Sequence, residues 1–272
     1  MATTQAVQAG QPIGVFDSGI GGLTVVAALR ALLPNESIFY LGDTARVPYG
    51  GKSAATVQRY SLEIAEMLRG ENAKTVVVAC NTASALALSR LEETLPVTVT
   101  GVIVPGAGAA IASTRSGHIG VIGTRATIAS GAYERALRSL NPDIRVTARA
   151  CPLLVPLIEE GWLDSPVTEQ IILQYLAPLM EDGVDTIVLG CTHYPLLRNA
   201  IARLVGDKVT LVDSAQNCAL AVRDLLEREN LSAPESNAAK LQVALTDPPD
   251  AFLRVAREAL NLEVGEIKVI AL

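Results

Sequence analysis

Residues Thr186 to Pro195 read TIVLGCTHYP, and residues Thr75 to Ser84 read TVVVACNTAS. Each opens on Thr, runs through apolar residues to a small one, and then reaches a Cys. Continuous Val- and Ile-rich runs of this length fit strands buried on both faces of a parallel sheet. Similar runs occur at Ile13–Phe16, Ile38–Leu41, Val97–Val102, Ile119–Ile122, Arg145–Ala150 and Val209–Val212, and weaker ones at Leu241–Leu245 and Ile267–Ile270. Helical patterns lie between them, at Leu23–Leu33, Ala54–Arg69, Ala83–Glu93, Ala129–Leu140, Thr168–Asp182, Pro195–Val205, Asn217–Glu229 and Asp250–Asn261. This alternation predicts an α/β fold with right-handed crossovers.

The two cysteine stretches sit within a longer repeat. PIGVFDSGIGGLTVVAALRAL, starting at Pro12, resembles HIGVIGTRATIASGAYERAL, starting at His118, with Gly14 matching Gly120. Cys80 and Cys191 follow at similar distances. The repeat predicts two similar α/β domains, each with a largely parallel sheet flanked by helices. A chance match among Val- and Ile-rich strands is the alternative.

Bulk properties narrow the function. Half of the 272 residues are hydrophobic and mean hydropathy is +0.34, enough for one large or two modest domains. No apolar stretch approaches the roughly 20 residues that span a bilayer. Residues 1–11 have no basic residue and no apolar core, so a loose polar start is expected rather than a signal peptide, and a cytoplasmic protein with no membrane partner. A net charge of −6 and a pI near 5.1 argue against a nucleic-acid partner. The four cysteines, Cys80, Cys151, Cys191 and Cys218, form no CxxC pair, which excludes a zinc ribbon or redox dithiol signature. Free thiols are expected, with Cys151 and Cys218 as small buried hydrophobes.

Ligands of open parallel sheets sit outside the carboxyl ends of the strands. There the chain places Asp17 and Ser18; Asp43, Tyr49 and Gly50; Cys80, Asn81 and Thr82; Thr124; Cys191, Thr192 and His193; and Asp213 and Ser214. DSGIGG is neither a dinucleotide fingerprint nor a P-loop. Arg46 and Lys52 are the only cations near these motifs. Ser18, Asn81, Thr82 and Thr192 fall where helices are expected to start, and free N–H groups there favour anions. A small zwitterion carrying carboxylate fits, with Asp17 accepting from its ammonium group. The alternative is structural: helix caps and a satisfied histidine.

Two cysteines and one nearby histidine allow several chemistries. Cys191 with His193 could form a nucleophilic hydrolase pair, but Cys80 would then be idle. A metal held by Cys80, Cys191 and His193 lacks the usual ligand spacing. A non-catalytic binding protein for an acidic metabolite is also compatible with the fold. Proton transfer at carbon uses both thiols: one takes a proton from one face and the other returns one to the opposite face.

At these residues the sequence resembles the glutamate racemases of the aspartate/glutamate racemase superfamily. The motifs are FDSGIGGLTV, LGDTARVPYG, ACNTAS, CPLLVPLIEEG and LGCTHYPLL, in that order between Ile13 and about Glu229. Relatives acting on aspartate usually carry Glu at the position of His193. The resemblance implies interconversion of L- and D-glutamate, supplying D-glutamate for peptidoglycan, with no cofactor, no metal and no pyridoxal phosphate. It implies that Cys80 serves D-glutamate with Asp17 assisting. Cys191 would serve L-glutamate, assisted by His193 and by a Glu of the EEG pair, Glu159 rather than Glu160. Substrate binding would fall on Asp17, Ser18, Tyr49, Gly50, Asn81, Thr82, Thr192 and His193. It further implies a homodimer and two domains, residues 12–100 with 210–272 and residues 101–209, with the active site in the cleft between them.

Overall fold

A computed structural model describes residues 7–247 and 250–272. Residues 1–6 of the expected polar start lie outside the described residues. Among those described, a strand forms at each expected place: β1 (Ile13–Asp17), β2 (Ile38–Gly42), β3 (Thr75–Val78), β4 (Val99–Gly101), β5 (His118–Gly123), β6 (Arg145–Ala150), β7 (Thr186–Gly190), β8 (Thr210–Asp213), β9 (Leu241–Leu245) and β10 (Ile267–Val269). They form two sheets, β10-β9-β2-β1-β3-β4 and β6-β5-β7-β8, and every pairing is parallel.

The order β2-β1-β3-β4 repeats as β6-β5-β7-β8. The sequence repeat is therefore a repeat of topology: β1 corresponds to β5, and the cysteine-bearing β3 to β7. β9 and β10 extend the first sheet, whereas Thr210–Asp213, expected in the first domain, forms β8 of the second sheet. β8 pairs with β7, and its Leu211 and Val212 pack into the cores on the two faces of the second sheet.

The interior strands β1, β2, β3, β5 and β7 are buried throughout as expected, whereas β9, also interior, is buried only from Val243 on. β6 and β10 differ because each is an edge strand, and both are partly exposed. The expected helix Ala83–Glu93 divides into Asn81–Leu86 and Leu88–Thr94. The expected Ala129–Leu140 starts only at Ala132, after Gly131 at φ +66°, and is preceded by a separate short helix, Arg125–Ala129. Two more helices, Ile103–Ser113 and Leu154–Glu159, lie outside the expected helical segments and contain Pro105 and Pro156. Each proline lies in the first helical turn, where its missing N–H costs no hydrogen bond.

The helix Ser214–Arg228 joins the two halves, packing against both Leu23–Leu32 and Ile103–Ser113. Its Ala215, Cys218, Ala219 and Val222 share a core with Ile13 and Val15 of β1. At the opposite ends of the strands from the cysteines, the buried Lys74 ammonium donates to Glu36 Oε2 at 2.5 Å, Ala9 O at 2.6 Å and Leu231 O at 2.7 Å. Glu36 Oε1 in turn accepts from Ala233 N at 2.7 Å.

Candidate active site

The carboxyl ends of β1, β3, β5, β6 and β7 and the loop after β2 enclose one cavity of about 330 Å³. That is near the lower end for small-molecule sites. Ser18, Tyr49, Gly50, Cys80, Asn81, Thr82, Glu159, Cys191, Thr192 and His193 all line it. A larger hollow of about 790 Å³, between Leu23–Leu32 and Ser214–Arg228, is walled mainly by alanine and leucine and contains no cysteine or histidine. The chemistry belongs to the smaller cavity.

Cys80 closes β3 and caps the helix Asn81–Leu86, its sulfur accepting from Ala83 N at 3.5 Å. Ser18 lies 3.7 Å from the same sulfur. Burial pushes the Cys80 thiol up to about 12, with Asp17 and Cys191 adding to the rise. Cys80 therefore rests as a protonated thiol at neutral pH.

Cys191 occupies the equivalent place on β7 but has different neighbours. Its sulfur lies 3.8 Å from His193 Nδ1, and His193 Nε2 lies 3.1 Å from Glu159 Oε1. Burial works against a charged imidazole. The contacts with Cys191 and Glu159, together with the nearby Asp17 carboxylate, outweigh it and hold His193 up at about 10. His193 thus keeps its proton at neutral pH, beside the second sulfur. Glu159, and not Glu160, reaches it.

Of the residues given a catalytic or binding role, Asp17 alone does not line the cavity. It is fully buried behind it, with Oδ2 accepting from Gly19 N at 2.9 Å and Oδ1 from Thr192 Oγ1 at 3.2 Å. Burial raises its pKa, and the charge on His193 offsets part of the rise. Direct acceptance of a ligand ammonium by Asp17 is not what this geometry provides; it ties the end of β1 to the end of β7. Gly21 is required at the same junction, because a Cβ there would lie 2.3 Å from Thr192 Oγ1 and 2.4 Å from His193 Nδ1.

The loop carrying Tyr49 and Gly50 is anchored by Asp43. That carboxylate accepts from Arg46 Nε at 2.7 Å, from Thr246 Oγ1 at 3.0 Å and from the Tyr49 hydroxyl. Asp43 is structural, and Tyr49, which lines the cavity, commits its hydroxyl to Asp43. Arg46 is paired with Asp43 and Glu63 and stacked on Tyr60, and Lys52 lies over the same ring. Neither cation lines the cavity. Arg125, not singled out from the sequence, is the one Lys or Arg that does.

Hydroxyls cross the cavity between the two halves. Thr82 Oγ1 lies 2.9 Å from Thr124 Oγ1 and 3.2 Å from Thr127 Oγ1. The spacing of Thr124, which caps Arg125–Ala129, and Thr127 was the available signal for this cluster. Cys151 also lines the wall, as a buried free thiol that burial pushes up to about 12. Ser18 does not open a helix as expected; the first helix starts at Leu23. Among the described residues no three Cys, His, Asp or Glu side chains converge so as to hold a metal ion, so Cys80, Cys191 and His193 do not form a ligand set. No described helix is long and apolar enough to cross a membrane.

Comparison with known proteins agrees with this arrangement. A family model described as Asp/Glu/Hydantoin racemase matches residues 23–222. A glutamate racemase from Geobacter metallireducens is 51% identical over 260 residues, covering 96% of this chain and 96% of its own. A solved glutamate racemase isoform from Bacillus anthracis has a TM-score of 0.92 at 40% identity, covering 96% of this chain and 98% of that one. The Francisella tularensis glutamate racemase, solved in complex with D-glutamate, has a TM-score of 0.90 at 36% identity, covering 97% and 98%. With two like-ordered sheets meeting at a pair of cysteines, and with matches over nearly its whole length, the chain belongs to the Asp/Glu/Hydantoin racemase family.

Proposed function

We propose that the protein interconverts L- and D-glutamate by exchanging the α-proton between two thiols, Cys80 and Cys191, with no cofactor. One observation carries this reading: two sulfurs from corresponding strand ends of two like-ordered sheets line one small cavity. A single-nucleophile hydrolase would leave one of them unused.

The chemistry balances without a redox partner. A cysteine thiolate removes the α-proton, and the C–H electron pair remains on carbon, spread into the adjacent carboxylate. The opposite thiol then donates its proton to the other face, so the two sulfurs exchange protonation states. Cys80 serves D-glutamate and Cys191 serves L-glutamate. His193, steadied by Glu159, shuttles a proton at Cys191, and Asp17 supports the Cys80 side. Ser18, Asn81, Thr82 and Thr192, with Tyr49 and Gly50, hold the substrate. Asn81 Nδ2 is buried and has no hydrogen-bond partner among the described residues, as suits a donor to carboxylate. Fixed hydroxyl and amide dipoles in a buried site stabilise carbanion-like charge better than water does. Similarity to curated glutamate racemases supports the choice of glutamate. A cytoplasmic homodimer supplying D-glutamate for peptidoglycan completes the reading, resting on the sequence resemblance.

Incubation with L-glutamate in D2O, without added cofactor, tests it. Deuterium enters the α-position as D-glutamate accumulates, and Cys80→Ser and Cys191→Ser each lose racemisation by at least about a thousandfold. Binding without exchange would instead mark a binding protein. Near-full activity in either variant would exclude the two-thiol scheme.

A further inference from the structure

The Tyr133 hydroxyl donates to Asn81 Oδ1 at 2.7 Å. Tyr133 belongs to the second half, on the helix Ala132–Leu140, whereas Asn81 follows Cys80 in the first. The phenol is almost wholly buried at 2% exposure. It is held in a slot where a Cβ on Gly190 would come within 3.0 Å of its ring and one on Gly106 within 3.5 Å of its hydroxyl. Gly190 is the residue immediately before Cys191. Ser214, which opens the helix joining the two halves, lies beside the same phenol. One ring thus meets the Asn81 amide, the approach to Cys191 and the start of the joining helix.

An asparagine amide has one acceptor end and one donor end. With Oδ1 occupied by Tyr133, the unpartnered Nδ2 is left for whatever fills the cavity that Asn81 lines. The Tyr133 hydroxyl is the hydrogen-bond partner that distinguishes the two ends of this amide. We propose that Tyr133 is a positioning residue that fixes the Asn81 amide with its N–H groups toward substrate carboxylate. The inference rests on the racemase reading above for the identity of that ligand.

Tyr133→Phe removes the hydroxyl and keeps the ring. A buried hydrogen bond of this kind contributes modestly, so KM for both enantiomers should rise about three- to tenfold while kcat changes less than twofold. A purely structural role would instead lower the folded fraction and leave KM alone, so thermal unfolding is measured alongside. The deciding comparison is in an Asn81→Ala background, with D-glutamate binding followed by calorimetry. There Tyr133→Phe should have no further effect, because the group it orients is gone. Ser214→Ala provides a second variant that leaves the ring in place, and should shift KM in the same direction by a smaller factor. Unchanged KM in Tyr133→Phe, or effects that multiply in the Asn81→Ala background, would overturn the proposal. If wild type does not exchange the α-proton of glutamate, the racemase reading fails first; D-glutamate binding by wild type and Tyr133→Phe still reads the Asn81 orientation.

Discussion

Cys80 and His193 both hold protons at neutral pH, for opposite reasons. Burial and a neighbouring carboxylate make a Cys80 thiolate costly, whereas the contacts with Cys191 and Glu159 make a His193 imidazolium favourable despite its burial. The second effect links stability to pH. The folded-state pKa of His193 is raised from 6.5 to about 10, so the charged form stabilises the fold. That contribution is complete below pH 6.5, declines as pH rises toward about 10, and is absent above it. His193→Gln should therefore lower stability by several kcal/mol near pH 6, at about 1.4 kcal/mol per pKa unit, with the gap to wild type closing toward pH 10. Denaturant titrations of both proteins across that range provide the check; a gap independent of pH would contradict the linkage. The residues at strand ends were legible in sequence because β periodicity reveals where a parallel strand stops. Tyr133, Thr127 and Arg125 were not, because they enter the site from helices whose positions depend on tertiary packing. Asp17 was placed correctly along the chain, but sequence could not show that its carboxylate faces Thr192 instead of the cavity.

At the scale of elements, the first sheet depends on a connection distant from the chemistry. Lys74 at the start of β3 is 1% exposed and gathers the Ala9 carbonyl, Glu36 before β2 and the Leu231 carbonyl after the joining helix. Lys74→Ala would strand the Glu36 carboxylate in the interior. Breaking a buried pair in this way costs about 3–5 kcal/mol, read as a lower urea midpoint with activity retained in the folded fraction. A change below about 1 kcal/mol would mean that Glu36 finds another partner. Every strand was visible beforehand, because Val- and Ile-rich runs carry a strong local signal. The helices were less so. Ile103–Ser113 is rich in glycine and alanine, and its formation follows from packing against Ser214–Arg228 and Ala132–Leu140 rather than from propensity. Sheet membership of β8 also lay beyond sequence, since it is settled by which core receives Leu211 and Val212.

At the scale of the molecule, two repeats could unfold as independent units. The helix Ser214–Arg228 argues otherwise, because it packs on layers belonging to both sheets. Thr192–Asp17 and Tyr133–Asn81 add hydrogen bonds between the halves at their buried junction. A single cooperative transition is expected. The chain's one tryptophan, Trp162, lies in the second repeat, whereas far-UV dichroism samples both. The two signals should coincide within error during urea unfolding, and separated midpoints would show that the halves melt apart. The repeated strand order has a geometric consequence. A flattened glutamate carbanion has a mirror plane through its α-carbon, but carries three different in-plane groups and so has no rotation axis. Protein repeats, built from one hand of amino acid, can be related by rotation and never by reflection. Duplication can therefore supply the pair of sulfurs above and below the carbon, but it cannot supply the grips on carboxylate, amine and side chain. On the proposed reading those must depart from the repeat, and the cavity lining does depart from it where Asn81 and Thr82 on one side stand against Thr192 and His193 on the other, and Ser18 against Thr124.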